Sequence, residues 1–125
     1  MKNAAVFGCG GAGRRTYLHF RSKYRITGFL DNDKRQHGSR VLGVPVLDPE
    51  TFDYRQVEHV FIGSMYFDEI LVQLLALGVP SSKIEFVTND ILMRDSLNVT
   101  VGRLRFPQSV HALRKAFYVP FRLLR

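Results

Sequence analysis

Residues 3–13 read Asn3-Ala4-Ala5-Val6-Phe7-Gly8-Cys9-Gly10-Gly11-Ala12-Gly13. An apolar run stops at a glycine, and the glycines that follow stand at the spacing G-x-G-x-x-G. A short apolar run cut off in this way reads as a buried strand entering a tight turn. Ala12 to Lys23 then carries a helical pattern. Tyr17 and Leu18 are placed to face a sheet, and Arg14, Arg15 and Arg21 to reach water. Tyr24 to Leu30 is a second apolar run, closed by Asp31-Asn32-Asp33. Strand, glycine turn, helix and strand follow one another within about thirty residues, the size of one βαβ unit.

The alternation continues. Glu58 to Gly63 holds Val60-Phe61-Ile62, a buried strand. Phe67 to Leu77 is amphipathic, with Ile70, Leu71, Leu74 and Leu75 on one stripe, Gly78 as a C-cap and Pro80 as a stop. Ile84 to Val87 is a further strand. Between these units the signal is weaker. Lys34 to Leu42 is polar and glycine-broken. Gly43-Val44-Pro45-Val46-Leu47 is a short extended segment whose proline suits an edge, and Asp48-Pro49-Glu50 opens a helical turn. The order predicts a doubly wound, mostly parallel α/β sheet with helices on both faces. Strands are expected near 3–7, 25–30, 58–63 and 84–87, and helices near 12–23 and 66–77.

After Asn89 the pattern changes. Residues 98–106 alternate partially, and Pro107 opens a helical pattern through Phe117. The charge changes with it. The chain of 125 residues has a formal net charge of +7. Residues 1–95 hold 12 Lys/Arg against 11 Asp/Glu, whereas residues 96–125 hold six Lys/Arg and no acid. The basic excess thus belongs to the tail. We therefore expect a folded domain over residues 1–90 and a basic extension over 91–125 that packs on the core or on a second subunit. Leu113, Phe117, Phe121 and Leu124 supply its apolar content, and the expected assembly is a homodimer. An anionic membrane surface is a second partner for the tail, and nucleic acid a less favoured one. One cysteine, no readable secretory signal and no apolar stretch of membrane-spanning length point to the cytoplasm.

The glycines have separate tasks. Gly8 makes the turn after the strand, Gly10 lets a pyrophosphate approach the backbone, and Gly13 lets the helix pack on the sheet. Gly11 adds freedom that the minimal pattern does not need. Asp31 lies eighteen residues after Gly13, at the end of the second strand, where a carboxylate accepts from ribose hydroxyls. A carboxylate there repels a 2′-phosphate, which favours NAD over NADP, and Arg35 nearby tempers that preference. Asp33 either reaches the ribose too or caps the following segment, the cap being the favoured role. Ser64 follows the Val60-Phe61-Ile62 strand and either touches the ligand or caps the next helix. The candidate contacts are Gly8, Gly10, Gly11, Gly13, Asp31, Asn32 and Ser64. Cys9 reads as a small buried filler rather than a nucleophile.

Three stretches carry a family resemblance: Gly8-Cys9-Gly10-Gly11-Ala12-Gly13, Thr27-Gly28-Phe29-Leu30-Asp31-Asn32-Asp33, and Gly43-Val44-Pro45-Val46-Leu47. Ile62-Gly63-Ser64, Glu69-Ile70-Leu71 and Leu77-Gly78-Val79-Pro80 extend it. Over residues 2–88 the chain resembles the N-terminal Rossmann-like domain of bacterial nucleoside-diphosphate-sugar epimerases and dehydratases of polysaccharide biosynthesis. The resemblance implies a nucleotide-binding domain that precedes a separate catalytic one. A related unit in sugar acetyltransferases holds a UDP-sugar in the same turn, so the ligand is NAD or, alternatively, a UDP-sugar. The catalytic Tyr-x-x-x-Lys pair of that family is absent. None of Tyr17, Tyr24, Tyr54, Tyr66 and Tyr118 has a lysine four residues on. The family's Asp-Leu-Leu-Gly-Arg linker is not matched by Phe121-Arg122-Leu123-Leu124-Arg125.

No other chemistry is signalled. His19, His37, His59 and His111 are not spaced as metal ligands, and Cys9 stands alone. No catalytic residue is assigned, so the chain reads as a binding domain, a scaffold or a regulatory module.

Overall fold

The computed structural model describes residues 1–87. Six strands form one sheet: β1 Lys2–Phe7, β2 Tyr24–Leu30, β3 Arg40–Val41, β4 Val44–Leu47, β5 His59–Ile62 and β6 Ile84–Phe86. Helix α1 spans Gly11–Phe20 and helix α2 spans Phe67–Ala76. The sheet order is β3-β4-β2-β1-β5-β6. All pairings are parallel except the β3–β4 hairpin. The doubly wound α/β architecture expected from the alternation is the one observed. The extension over 91–125, with its expected strand, helix and subunit contact, lies outside the described residues.

Strand β1 is central because its residues tolerate burial on both sides. Ala4, Ala5 and Val6 have no exposed surface, and Phe7 has almost none. Alternate side chains divide between two cores. Ala5 and Phe7 join Val60, Ile62, Ile70, Leu71, Leu74 and Phe86 beneath α2. Ala4 and Val6 join Phe20, Phe29, Val46 and Phe61 on the α1 side. The helices therefore cover opposite faces. From β1 the chain first builds outward through β2 and β4, then restarts at β5 on the other side. The reversal leaves a crevice between β1 and β5 at the carboxyl ends of the strands.

Among the described residues, only two crossovers contain α-helices. Lys34–Gln36 and Tyr54–Gln56 are single 3₁₀ turns, capped by Asp33 and Asp53, whose carboxylates accept from the Arg35 and Arg55 backbone N–H. Neither segment has the apolar spacing that would hold a longer helix on the sheet. Asp33 thus takes the capping role expected of it. Helix α2 ends in a Schellman motif. Gly78 adopts φ +86°, Gly78 N–H donates to Leu75 O at 3.0 Å and Val79 N–H to Leu74 O at 3.0 Å.

Three details differ from the sequence pattern. Leu18 is 49% exposed, and the sheet-facing positions of α1 are Gly13, Thr16 and Phe20, with Tyr17 partly buried. Phe20 stacks on Phe61 with ring centroids 4.2 Å apart, and this contact sets the roll of the helix. Leu75 is also partly exposed, so the buried stripe of α2 is Ile70, Leu71 and Leu74. Pro45 is one strand in from the edge. The outermost strand is β3, which reaches β4 through a two-residue turn at Leu42-Gly43 with φ of 52° and 79°.

Candidate functional site

The glycine turn is built from backbone against backbone. Gly8 has φ +110°, and a Cβ there would lie 2.6 Å from the Gly63 carbonyl oxygen. A Cβ on Gly13 would overlap the Gly8 carbonyl. A Cβ on Gly63 would lie 2.6 Å from Thr16 Oγ1 and 2.9 Å from Gly13 Cα. The start of α1 thus sits directly on the ends of β1 and β5. Gly13 is buried, as its packing role requires. Gly10 differs, because a Cβ there would meet nothing within 4 Å. Its backbone, exposed and extended as the N-cap of α1, is open to approach.

Asp31 ends β2 with its carboxylate turned to the same turn. Oδ2 accepts from Cys9 N–H at 3.3 Å and from Cys9 Sγ at 3.1 Å, and Oδ1 accepts from Asp33 N–H at 2.8 Å. The Asp31 carbonyl lies 2.6 Å from His37 Nε2, and since a carbonyl only accepts, the imidazole donates. Cys9 is buried, and burial pushes its thiol up to about 11, with the hydrogen bond and charge of Asp31 adding to the shift. It is a neutral donor, which agrees with a filler and not a nucleophile. Arg14 folds back over the turn, its Nε donating to Cys9 O at 3.3 Å. Arg35 spends two donors on Asp33, at 3.0 and 3.1 Å.

A cavity of about 440 Å³ opens beside the turn, on the α2 side. Gly8, Asp31, Asn32 and Ser64 line it, so four of the sequence candidates converge there. Gly10 and Gly11 are exposed at the start of α1 instead, and Gly13 is buried beneath the turn. Ser64 Oγ accepts from Tyr66 N–H at 3.1 Å, which shapes the approach to α2, while Tyr66 itself occupies the N-cap position. Asn32 is paired with α2. Its Nδ2 donates to Gln73 Oε1 and its Oδ1 accepts from Gln73 Nε2, both at 2.8 Å. Gln73 Nε2 also donates to Glu50 Oε2 at 3.1 Å.

Sequence reasoning missed the remaining lining: Phe7, Tyr66, Glu69, Ile70 and Gln73. A signal was present. Tyr66, Glu69, Ile70 and Gln73 stand at i, i+3, i+4 and i+7, one face of a helix. That face borders the apolar stripe that drew attention first. Among the described residues, none that lines the cavity is a Lys, Arg or His. Among the described residues no group of His, Cys, Asp and Glu could hold a metal ion, and no helix is long and apolar enough to cross a membrane.

A parallel sheet with a glycine turn and an acid at the end of the second strand is a Rossmann-type domain. The chain belongs to the C2185-like N-terminal family, whose model matches residues 1–85. That family is not the epimerase and dehydratase family which the motifs resemble. The fold is similar to UDP-D-quinovosamine 4-dehydrogenase from Vibrio fischeri, at 18% identity and a TM-score of 0.52 over 81% of this chain and 88% of that one. It is also similar to RSP, a Rex-family repressor, at 19% identity and a TM-score of 0.55 over 83% of this chain and 61% of that one. The same repressor is known in complex with β-NAD⁺ and operator DNA, where the likeness has a TM-score of 0.53, with 19% identity over 92% of this chain and 62% of that one. The chain thus spans about three-fifths of the repressor's length. No curated protein matches the chain.

Two outcomes follow from this geometry. Gly13→Ala should lower stability by about 3 kcal/mol or more, because backbone must move, whereas Gly10→Ala should stay within about 1 kcal/mol. Urea midpoints of the two variants check this. Cys9, with its thiol raised from 9.0 to about 11, should alkylate about 100-fold more slowly in the native than in the unfolded chain at pH 8. Because the folded group keeps its proton to higher pH, the native rate should climb about tenfold per pH unit until about 11. Iodoacetamide labelling followed by mass spectrometry reads both rates.

Proposed function

We propose that this domain binds a nucleotide, with NAD as its ligand. The observation that carries the reading is the Asp31 carboxylate, held at the carboxyl end of β2 against the Gly8-Cys9-Gly10 turn. Ribose hydroxyls donate to such a carboxylate, and the open backbone at Gly10 admits a pyrophosphate. The residues present therefore fit the dinucleotide. Gly8, Gly10, Gly11, Asp31, Asn32 and Ser64 form its surroundings, with Gly13 acting from beneath. NADP is disfavoured by the charge of Asp31, and Arg35 is occupied by Asp33.

The second reading is a UDP-sugar. It is favoured by a cavity lined with carboxylates and amides, which suit hydroxyl-rich groups, and by the likeness to a UDP-D-quinovosamine dehydrogenase. The motifs' resemblance to nucleoside-diphosphate-sugar epimerases and dehydratases of polysaccharide biosynthesis supports a role beside such sugar chemistry. The domain holds a ligand for a catalytic domain or acts as a regulatory module, without a Tyr-Lys pair of its own. The single, protonated thiol suits the cytoplasm. DNA binding is a property of the repressor and is not carried over. We further propose that residues 91–125 pack on the core or on a second subunit, making the chain a homodimer. Leu113, Phe117, Phe121 and Leu124 each gain roughly 1.5–3 kcal/mol when fully buried.

Calorimetry with NAD, NADP and UDP-N-acetylglucosamine tests the ligand. NAD should bind, with NADP at least about tenfold weaker. Binding of the UDP-sugar alone would reverse the order, and binding of none would leave a scaffold. Light scattering tests the assembly: the full chain should have the mass of a dimer, and a chain cut after Asn98 that of a monomer. A monomeric full chain would refute the dimer.

A further inference from the structure

We propose that Tyr66 supplies the stacking face of a nucleobase pocket whose far wall is the Asn32–Gln73 amide pair, which Glu50 orients from outside the lining. The inference rests on the nucleotide reading and adds the residue that recognises the base. Tyr66 stands at the rim of the cavity with its backbone fixed from both sides. Its N–H donates to Ser64 Oγ at 3.1 Å, and its carbonyl accepts from Ile70 N–H at 3.1 Å. The residue is nonetheless 53% exposed. Tyr17, Tyr24 and Tyr54 each place their ring against a neighbouring aromatic, at 5.8, 5.9 and 5.0 Å. The ring of Tyr66 has no such neighbour among the described residues. A flat side chain with two rotatable bonds on a fixed backbone loses little entropy on stacking.

The rest of the cavity suits a ring with polar edges. Phe7 and Ile70 are buried and make an apolar floor. The amide pair makes a polar wall of fixed orientation. Glu50 only accepts, so it turns the Gln73 amide nitrogen toward itself, and Gln73 then gives its second hydrogen to Asn32 Oδ1. Asn32 is left with one N–H and one lone pair of Oδ1 unspent. That donor and acceptor match the edge of a base. The described lining carries the Asp31 carboxylate and no Lys, Arg or His, which suits a neutral base beyond the Asp31-bound ribose better than a phosphate. Adenine and uracil share this chemistry.

The test titrates AMP, UMP and ribose 5-phosphate into the full chain and into Tyr66→Ala and Tyr66→Phe, followed by calorimetry and by NMR of the tyrosine ring protons. The intact chain should bind at least one nucleotide more tightly than ribose 5-phosphate. A preference for AMP marks an adenine pocket and a preference for UMP a uracil pocket. Tyr66→Ala should weaken the nucleotide by about 5- to 100-fold while leaving ribose 5-phosphate unchanged, and Tyr66→Phe should stay within about twofold. The Tyr66 ring protons should shift upfield on nucleotide binding, a readout that does not depend on the alanine variant folding. Unchanged nucleotide affinity in Tyr66→Ala, an equal loss for ribose 5-phosphate, or no ring shift would overturn the stacking role. If the intact chain binds ribose 5-phosphate as tightly as both nucleotides, the base pocket alone falls. If it binds none of the three, the nucleotide reading falls with it.

Discussion

Helix α1 meets the sheet with no side chains between them at its first turn. Gly8, Gly13 and Gly63 come from three different elements, and each occupies space that a methyl group on another would need. This contact draws the N-terminus of α1 down to the ends of β1 and β5, and it is the reason a crevice exists at the strand reversal. Thr16 is fully buried one turn further along and satisfies its hydroxyl by donating to Ala12 O at 2.8 Å. A larger residue at any of the three glycines would lift the helix and open the turn that Asp31 closes.

Asp31 ties the second strand into that arrangement. Its carboxylate collects three donors, two from Cys9 and one from Asp33, so the end of β2 and the glycine turn move as one body. The crevice also has a polarity. On the α1 side lie open glycine backbone and the Arg14 guanidinium, and on the α2 side lie Asp31, Glu69 and two amides. A molecule with phosphates at one end and hydroxyls at the other meets compatible chemistry along its length.

The strands were legible because each is a short apolar run ended by glycine, proline or an acid. The turn was legible because its glycines and Asp31 stand at informative distances along the chain. Other features lie in three dimensions only. Nothing around Gly63 announces that Gly13 will press on it. Leu18 and Leu75 are apolar and correctly spaced for a buried face, but the Phe20–Phe61 stack and the width of the α2 contact decide which residues reach the sheet. The polar face of α2 was hidden because Tyr66, Glu69 and Gln73 are ordinary on an exposed helix. They acquire meaning once Asn32 and Glu50 are known to stand opposite. Pro45 suggested an edge because the two-residue strand β3 is too short to announce itself.

Helix α2 has two jobs on two nearly separate faces. Leu71 and Leu74 anchor it in the core, while Tyr66, Glu69 and Gln73 border the cavity, and only Ile70 serves both. The residues that border the cavity are therefore largely distinct from those that hold the helix on the sheet. On the proposed nucleotide reading, exchanges along the cavity-facing side would retune what the crevice accepts while the Leu71 and Leu74 anchor stays in place, whereas the glycine contact allows no such variation. A chain built this way can diverge toward new ligands by rewriting one helix face, and an engineer could do the same.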